Sequence, residues 1–258
     1  MSKEVDGTKE RSRGGIFQTT HWTEIFNAGA GDDPQGQEAL AALLKRYWKA
    51  VFCYLRCRGC ESEEAKDLTQ GFFQEIVLGK GIIQQADRSK GRFRTFLIRC
   101  LDRYVSNVHR ARVSKQRMPE GGLVSLEGID WANLPGPVPY ATPVEVFDYV
   151  WASALLDQVV AEVSAQCRET GNATHWEVFR VRVLQPILDN TPPPSLSHLC
   201  REYCIPEKGK ASKMVTRVRR LFRALLRCHV RQFVDSDAEV DAEIAYLMKI
   251  LSKSGGRL

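Results

Sequence analysis

Residues 93–113, FRTFLIRCLDRYVSNVHRARV, decide the fold class. Phe93, Phe96, Leu97, Cys100, Leu101, Tyr104, Val105 and Val108 recur at steps of three and four. That period gathers apolar side chains on one face of an α-helix. Arg92, Arg99, Arg103, Asn107 and Arg110 form a second stripe, displaced from the first. A helix divided in this way buries one side and turns a cationic side outward.

The same period continues on both sides of this stretch. Upstream, Leu40, Leu43, Leu44, Tyr47, Trp48, Val51, Phe52 and Leu55 make one stripe over about Gln37 to Arg58, which Gly59 ends. Ser62 is expected to N-cap a second helix, with Glu63 and Glu64 in its first turn and Ala65, Leu68, Phe72, Phe73, Ile76 and Val77 inward. Downstream, Thr142 is an N-cap, Pro143 takes the first helical position and Glu145 closes a capping box. Phe147, Val150, Trp151, Ala154, Leu155, Val159 and Val163 follow. Further helices are expected over about Ala173 to Leu188, Leu196 to Tyr203, from near Lys210, and after the capping pair Ser236 and Glu239. No segment alternates with a strand period. The fold class is all-α.

Residues Met118 to Pro143 break the pattern, with five of the eleven prolines and four glycines. They read as a largely extended linker. The expected organisation is a disordered tail over 1–16, a helical domain over 17–117, the Pro/Gly-rich linker over 118–142, a second helical domain over 143–234, and a helical extension over 235–258.

Charge divides the chain differently. Arg88 to Arg117 hold ten Lys or Arg against one acid, Asp102, and Lys208 to Arg231 hold nine bases and no acid. The whole chain is only +6, so the remainder is net acidic. Two basic patches on an acidic body are the footprint of a polyanion partner. No apolar run is long enough to span a membrane. The first residues, MSKEVDGTKERSRGG, do not lead into a signal-type apolar core. A cytoplasmic chain with eight reduced cysteines is expected.

A short helix, a turn and a longer basic helix form the layout of a helix-turn-helix. In such a unit the second helix offers a cationic, hydrogen-bonding face to the major groove. Lys208, Lys210, Ser212, Lys213, Thr216, Arg217, Arg220 and Arg223 are the candidates for that face. No Ser/His/Asp or Cys/His arrangement and no glycine-rich phosphate loop is present, so the chain reads as a binding protein without cofactor or catalytic residues. Cys53, Cys57 and Cys60, and His198, Cys200 and Cys204, lack the paired spacing of a zinc site. His109 and His229 read as surface residues on basic helices.

The segment EEAKDLTQGFF (63–73), followed by IIQQADRSKGRFRTFLIRCLDRYVSNVHR (82–110), resembles region 2 of bacterial RNA polymerase sigma factors of the sigma-70 family, extracytoplasmic-function (group IV) type. Residues 176–230 are similar to region 4 of that family. FQTTHW near the start and DAEVDAEIAYLMKIL near the end resemble a planctomycete or environmental subgroup. Lys66 departs from the usual acidic residue of the family, and the turn IPEKGKA is longer than in many members.

The resemblance implies three surfaces. Glu64, Asp67, Leu68, Gln70, Phe72 and Phe73 would dock on the clamp helices of the polymerase's largest subunit, with at least one of the two phenylalanines in the core instead. Asp87, Arg88, Lys90, Arg92, Arg94, Arg99, Arg103, Asn107 and Arg110 would hold the melted −10 element. Asp87 to Gly91 would capture a flipped base, and Tyr104 would either stack on a base or pack in the core. The helix-turn-helix would read the −35 element. The implied partners are core RNA polymerase (clamp helices and flap region) and promoter DNA, with an anti-sigma factor or a regulatory kinase as further candidates. The alternative is a stand-alone helix-turn-helix regulator, and a zinc-dependent enzyme is the third reading.

Overall fold

Helix α1, Pro34–Cys57, ends where the chain can turn left-handed. Gly59 has φ +92°, and the Cys60 N–H reaches back to the Leu55 carbonyl at 3.2 Å. Only glycine takes that backbone without a Cβ penalty. The computed structural model describes residues 34–74, 93–113, 141–231, 234 and 236–254. The tail 1–16 and nearly all of the linker 118–142 lie outside the described residues.

Helix α2 spans Ser62–Phe73 and α3 spans Phe93–Val113. Ser62 is the first helical residue of α2, not its cap. Glu61 caps it with extended backbone and no side-chain hydrogen bond. Helix α4, Pro143–Glu169, starts on a complete capping box: the Thr142 hydroxyl accepts from the Glu145 N–H, and the Glu145 carboxylate accepts from the Thr142 N–H. Helix α5, Ala173–Phe179, runs through a π turn, Arg180–Leu184, into α6, Gln185–Leu188. Pro186 has no N–H to give the Arg182 carbonyl and its ring crowds that carbonyl, so the turn before it widens. Helix α7 is Leu196–Glu202, α8 is Lys208–Arg231 and α9 is Asp237–Ser254. All regular structure among the described residues is helical.

Helix α4 organises the core. Val146, Phe147, Val150, Trp151 and Ala152 are all buried, and one stripe cannot contain them all. A helix apolar on several sides is buried on several sides. Tyr47 of α1 stacks on Phe147 and on Trp151, each at 6.3 Å between ring centroids. Glu162, in the other half of α4, meets His229 of α8 at 2.8 Å. The sequence reading places α4 in the second domain, yet it packs against both α1 and α8. His229 is therefore buried and paired, against the expectation of a surface residue.

Helix α3 is tied to α1 by Asp102, which accepts from the Tyr54 hydroxyl at 2.8 Å and pairs with Arg58. Its apolar face meets α2 through Tyr104, whose ring lies edge-on to Phe72 at 5.7 Å. Tyr104 is thus a core residue. Its hydroxyl sits where a Cβ on Gly71 would be. Gly71→Ala is expected to destabilise the fold by about 1–3 kcal/mol, since a buried ring must shift to admit the methyl. Chemical denaturation measures this directly. A change under about 0.5 kcal/mol would mean that the ring moves freely.

Candidate nucleic-acid interface

The helix-turn-helix is built from α7, a tight turn and α8. Ser195 caps α7 by accepting from the His198 N–H at 3.2 Å. Leu199 is fully buried and anchors α7. The chain leaves α7 through Cys204 in left-handed backbone at φ +52°, and the Ile205 N–H bonds the Cys200 carbonyl at 2.8 Å. Ile205 is buried, which fixes the turn against the core.

Helix α8 is sharply two-sided. Ala211, Val215, Val218, Leu225, Leu226 and Val230 are buried. Lys208, Lys210, Ser212, Lys213, Thr216, Arg217, Arg220 and Arg223 are all exposed. Lys213, Arg217 and Arg220 follow one another at steps of four and three, so they line one ridge away from the core. The Thr216 hydroxyl donates back to the Ser212 carbonyl at 2.9 Å, which leaves its lone pairs outward. Below the ridge, His175 lies in a small cleft with Arg217, Asn172 and Thr170. Burial, then the positive charges of Arg217 and Lys210, hold its imidazole below the ordinary value.

The second basic surface is on α3. Arg99, Arg103, Asn107 and Arg110 are exposed. Arg110 folds along the helix, donating to Asn107 Oδ1 at 3.0 Å and to the Ser106 carbonyl at 3.3 Å. Asp87, Arg88, Lys90 and Arg92 lie outside the described residues.

Arg94 corrects the sequence reading, which groups it with the outward cations. Only 6% of its surface is accessible. Its guanidinium pairs with Asp148 of α4 at 3.1 Å and with Glu243 of α9. Trp151 and Tyr246 lie against it at 5.0 and 4.9 Å from their ring centroids. Burial works against its charge, but the Glu243 hydrogen bond and the two carboxylates outweigh it and raise its pKa. Buried and saturated in this way, Arg94 offers nothing to a ligand. The reason is its register: Arg94, Ile98, Leu101, Val105 and Val108 follow one another at steps of four and three on the face that packs inward.

On α2 the expected docking residues separate. Leu68, Phe72 and Phe73 are core, because the amphipathic face of a short helix has little else to bury. None of the three is available for docking. Asp67 is exposed, and Glu64 and Gln70 are partly so. Lys66 pairs with Glu63 at 2.7 Å and so lies within an otherwise acidic surface.

The cysteines are unbridged. Burial pushes the Cys53 thiol up to about 11 and raises those of Cys57, Cys100 and Cys167. Among the described residues no group of three His, Cys, Asp or Glu is placed to hold a metal ion. No helix among them is long and apolar enough to cross a membrane. The sequence reading missed Arg227 and Arg231, which carry the basic face of α8 on to its end. Charge identifies their window, but their partners lie on α9 and have no sequence signature. No protein-family model, curated protein or solved structure matches this chain.

Proposed function

We propose that this protein is a promoter-recognition subunit of the sigma type. It binds core RNA polymerase in the cytoplasm and directs initiation by reading −35 and −10 elements, with no chemistry of its own. One observation carries this reading: two separate exposed cationic helix faces, Lys213–Arg217–Arg220 on α8 and Arg99–Arg103–Arg110 on α3, stand on one helical framework. A helix-turn-helix grips duplex DNA through the major groove. A second arginine stripe with an amide suits the backbone and base edges of an opened strand. Duplex opening would then draw on protein–DNA contacts, without nucleotide hydrolysis.

Arg99→Ala and Arg103→Ala are each expected to reduce promoter opening by about tenfold while leaving duplex binding through α8 nearly intact. Permanganate reactivity of the opened strand, set beside duplex binding, checks this. Unchanged opening in both variants would remove α3 from the reading surface.

A stand-alone helix-turn-helix regulator is the second reading. The burial of Leu68, Phe72 and Phe73 favours it, because it leaves α2 a smaller polar docking face. Co-purification with core polymerase separates the two. Stoichiometric retention supports the first reading, and DNA binding without retention supports the second.

A further inference from the structure

Asp102 is the one acid in the basic window 88–117, and it lies at the edge of the arginine face of α3. It comes three residues after Arg99, and a helix sets residues three apart side by side. Its side chain is 44% accessible. Both of its side-chain contacts fall on one oxygen: Oδ1 accepts from the Tyr54 hydroxyl at 2.8 Å and from the Arg58 guanidinium. Oδ2 accepts no hydrogen bond from the described residues, and it is not buried. The carboxylate is therefore held in place from α1, with one open acceptor beside a row of cationic donors.

We propose that Asp102 is a base-reading residue, whose open Oδ2 accepts from the exocyclic amino group of an unpaired base held along α3 and so selects an amino-bearing base over thymine. This rests on the nucleic-acid reading of α3.

Three physical points support it. A carboxylate repels phosphate, so it adds nothing to the grip on the backbone. What it can accept from a strand is a donor on a base edge, such as the cytosine N4 amino group. Thymine presents the O4 carbonyl at the same place, and two acceptors that face one another repel. Second, the carboxylate is oriented. Burial, then the hydrogen bond to Asp102, pushes the Tyr54 phenol up to about 12, so it stays a donor to Oδ1. The Ser106 hydroxyl, one turn on, donates to the Asp102 backbone carbonyl at 2.8 Å and does not compete for Oδ2. Third, Arg58 offsets the charge of Asp102, so the neighbouring arginines can still hold phosphates.

The test uses the full-length protein and two single-stranded DNAs of equal length, oligodeoxycytidine and oligothymidine. Equal length means equal charge, so the phosphate contribution cancels in the ratio of their affinities. Fluorescence anisotropy at fixed salt reads that ratio for the wild type, Asp102→Asn, Asp102→Ala and Arg99→Ala. In Asp102→Asn the amide oxygen keeps Tyr54 and Arg58, and the amide nitrogen takes the place of Oδ2, a donor where an acceptor stood.

The cytosine-to-thymine ratio is expected to fall about tenfold or more in Asp102→Asn and about tenfold in Asp102→Ala. Arg99→Ala is expected to weaken both strands alike and leave the ratio as in the wild type. A purely structural role for Asp102 would lower both affinities together, so an unchanged ratio in Asp102→Asn would overturn the proposal and leave the nucleic-acid reading standing. Absence of single-strand binding by every form at low salt would overturn that reading and the proposal with it. If Asp102→Ala does not fold without its tie to α1, the near-isosteric Asp102→Asn decides alone.

Discussion

Arg94→Ala is expected to destabilise the protein by about 3–5 kcal/mol. The guanidinium that Asp148 and Glu243 both face would be gone, while those carboxylates stay 5% and 1% accessible. The Trp151 and Tyr246 rings would lose the cation between them as well. Most of this effect comes from stranded charge, not from the intrinsic value of the pair. The triple replacement Arg94→Met, Asp148→Leu and Glu243→Leu is therefore expected to lie within about 2 kcal/mol of the wild type. Denaturant titration of the wild type and both variants, with the slope checked for constancy, measures both values. An Arg94→Ala loss below about 1 kcal/mol would show that the cluster is hydrated and that α9 is not anchored there.

The other large effect is on binding. Replacing Lys213, Arg217 and Arg220 together by alanine is expected to weaken duplex DNA binding by about 10²–10³-fold at physiological salt. All three are exposed, so the fold is expected to be unaffected. Each phosphate that is no longer neutralised takes about 0.9 from the slope of log affinity against log salt, so the slope should fall by about 3. A drop in affinity with an unchanged slope would mean that these residues act through the fold and not through phosphates.

Much of the framework is legible in the sequence because helix periodicity is local. The pattern over 93–113 predicts a helix with the bounds that α3 has. The capping signal at Thr142, Pro143 and Glu145 marks the start of α4. The basic helix begins at Lys208, two residues before the expected Lys210, because Glu207 accepts the first bonds from Lys210 and Ala211. What is not legible is what distant residues do to one another. Arg94 counts as one more cation in a basic window, although its place one step before Ile98 and Leu101 puts it on the inward face. Its partner Glu243 lies 149 residues away, and no spacing rule connects them. The apolar residues of α4 likewise read as a single stripe, and nothing in their spacing shows that α1, α8 and α9 cover the helix on several sides.

We propose that the chain confers promoter choice on RNA polymerase. Transcription by purified core polymerase on a promoter library, with and without this protein, tests it most directly. The predicted result is protein-dependent initiation from promoters sharing two spaced elements, lost with Lys213→Ala, Arg217→Ala and Arg220→Ala and reduced with Arg99→Ala. Equal transcription with and without the protein, despite measurable DNA binding, would contradict it.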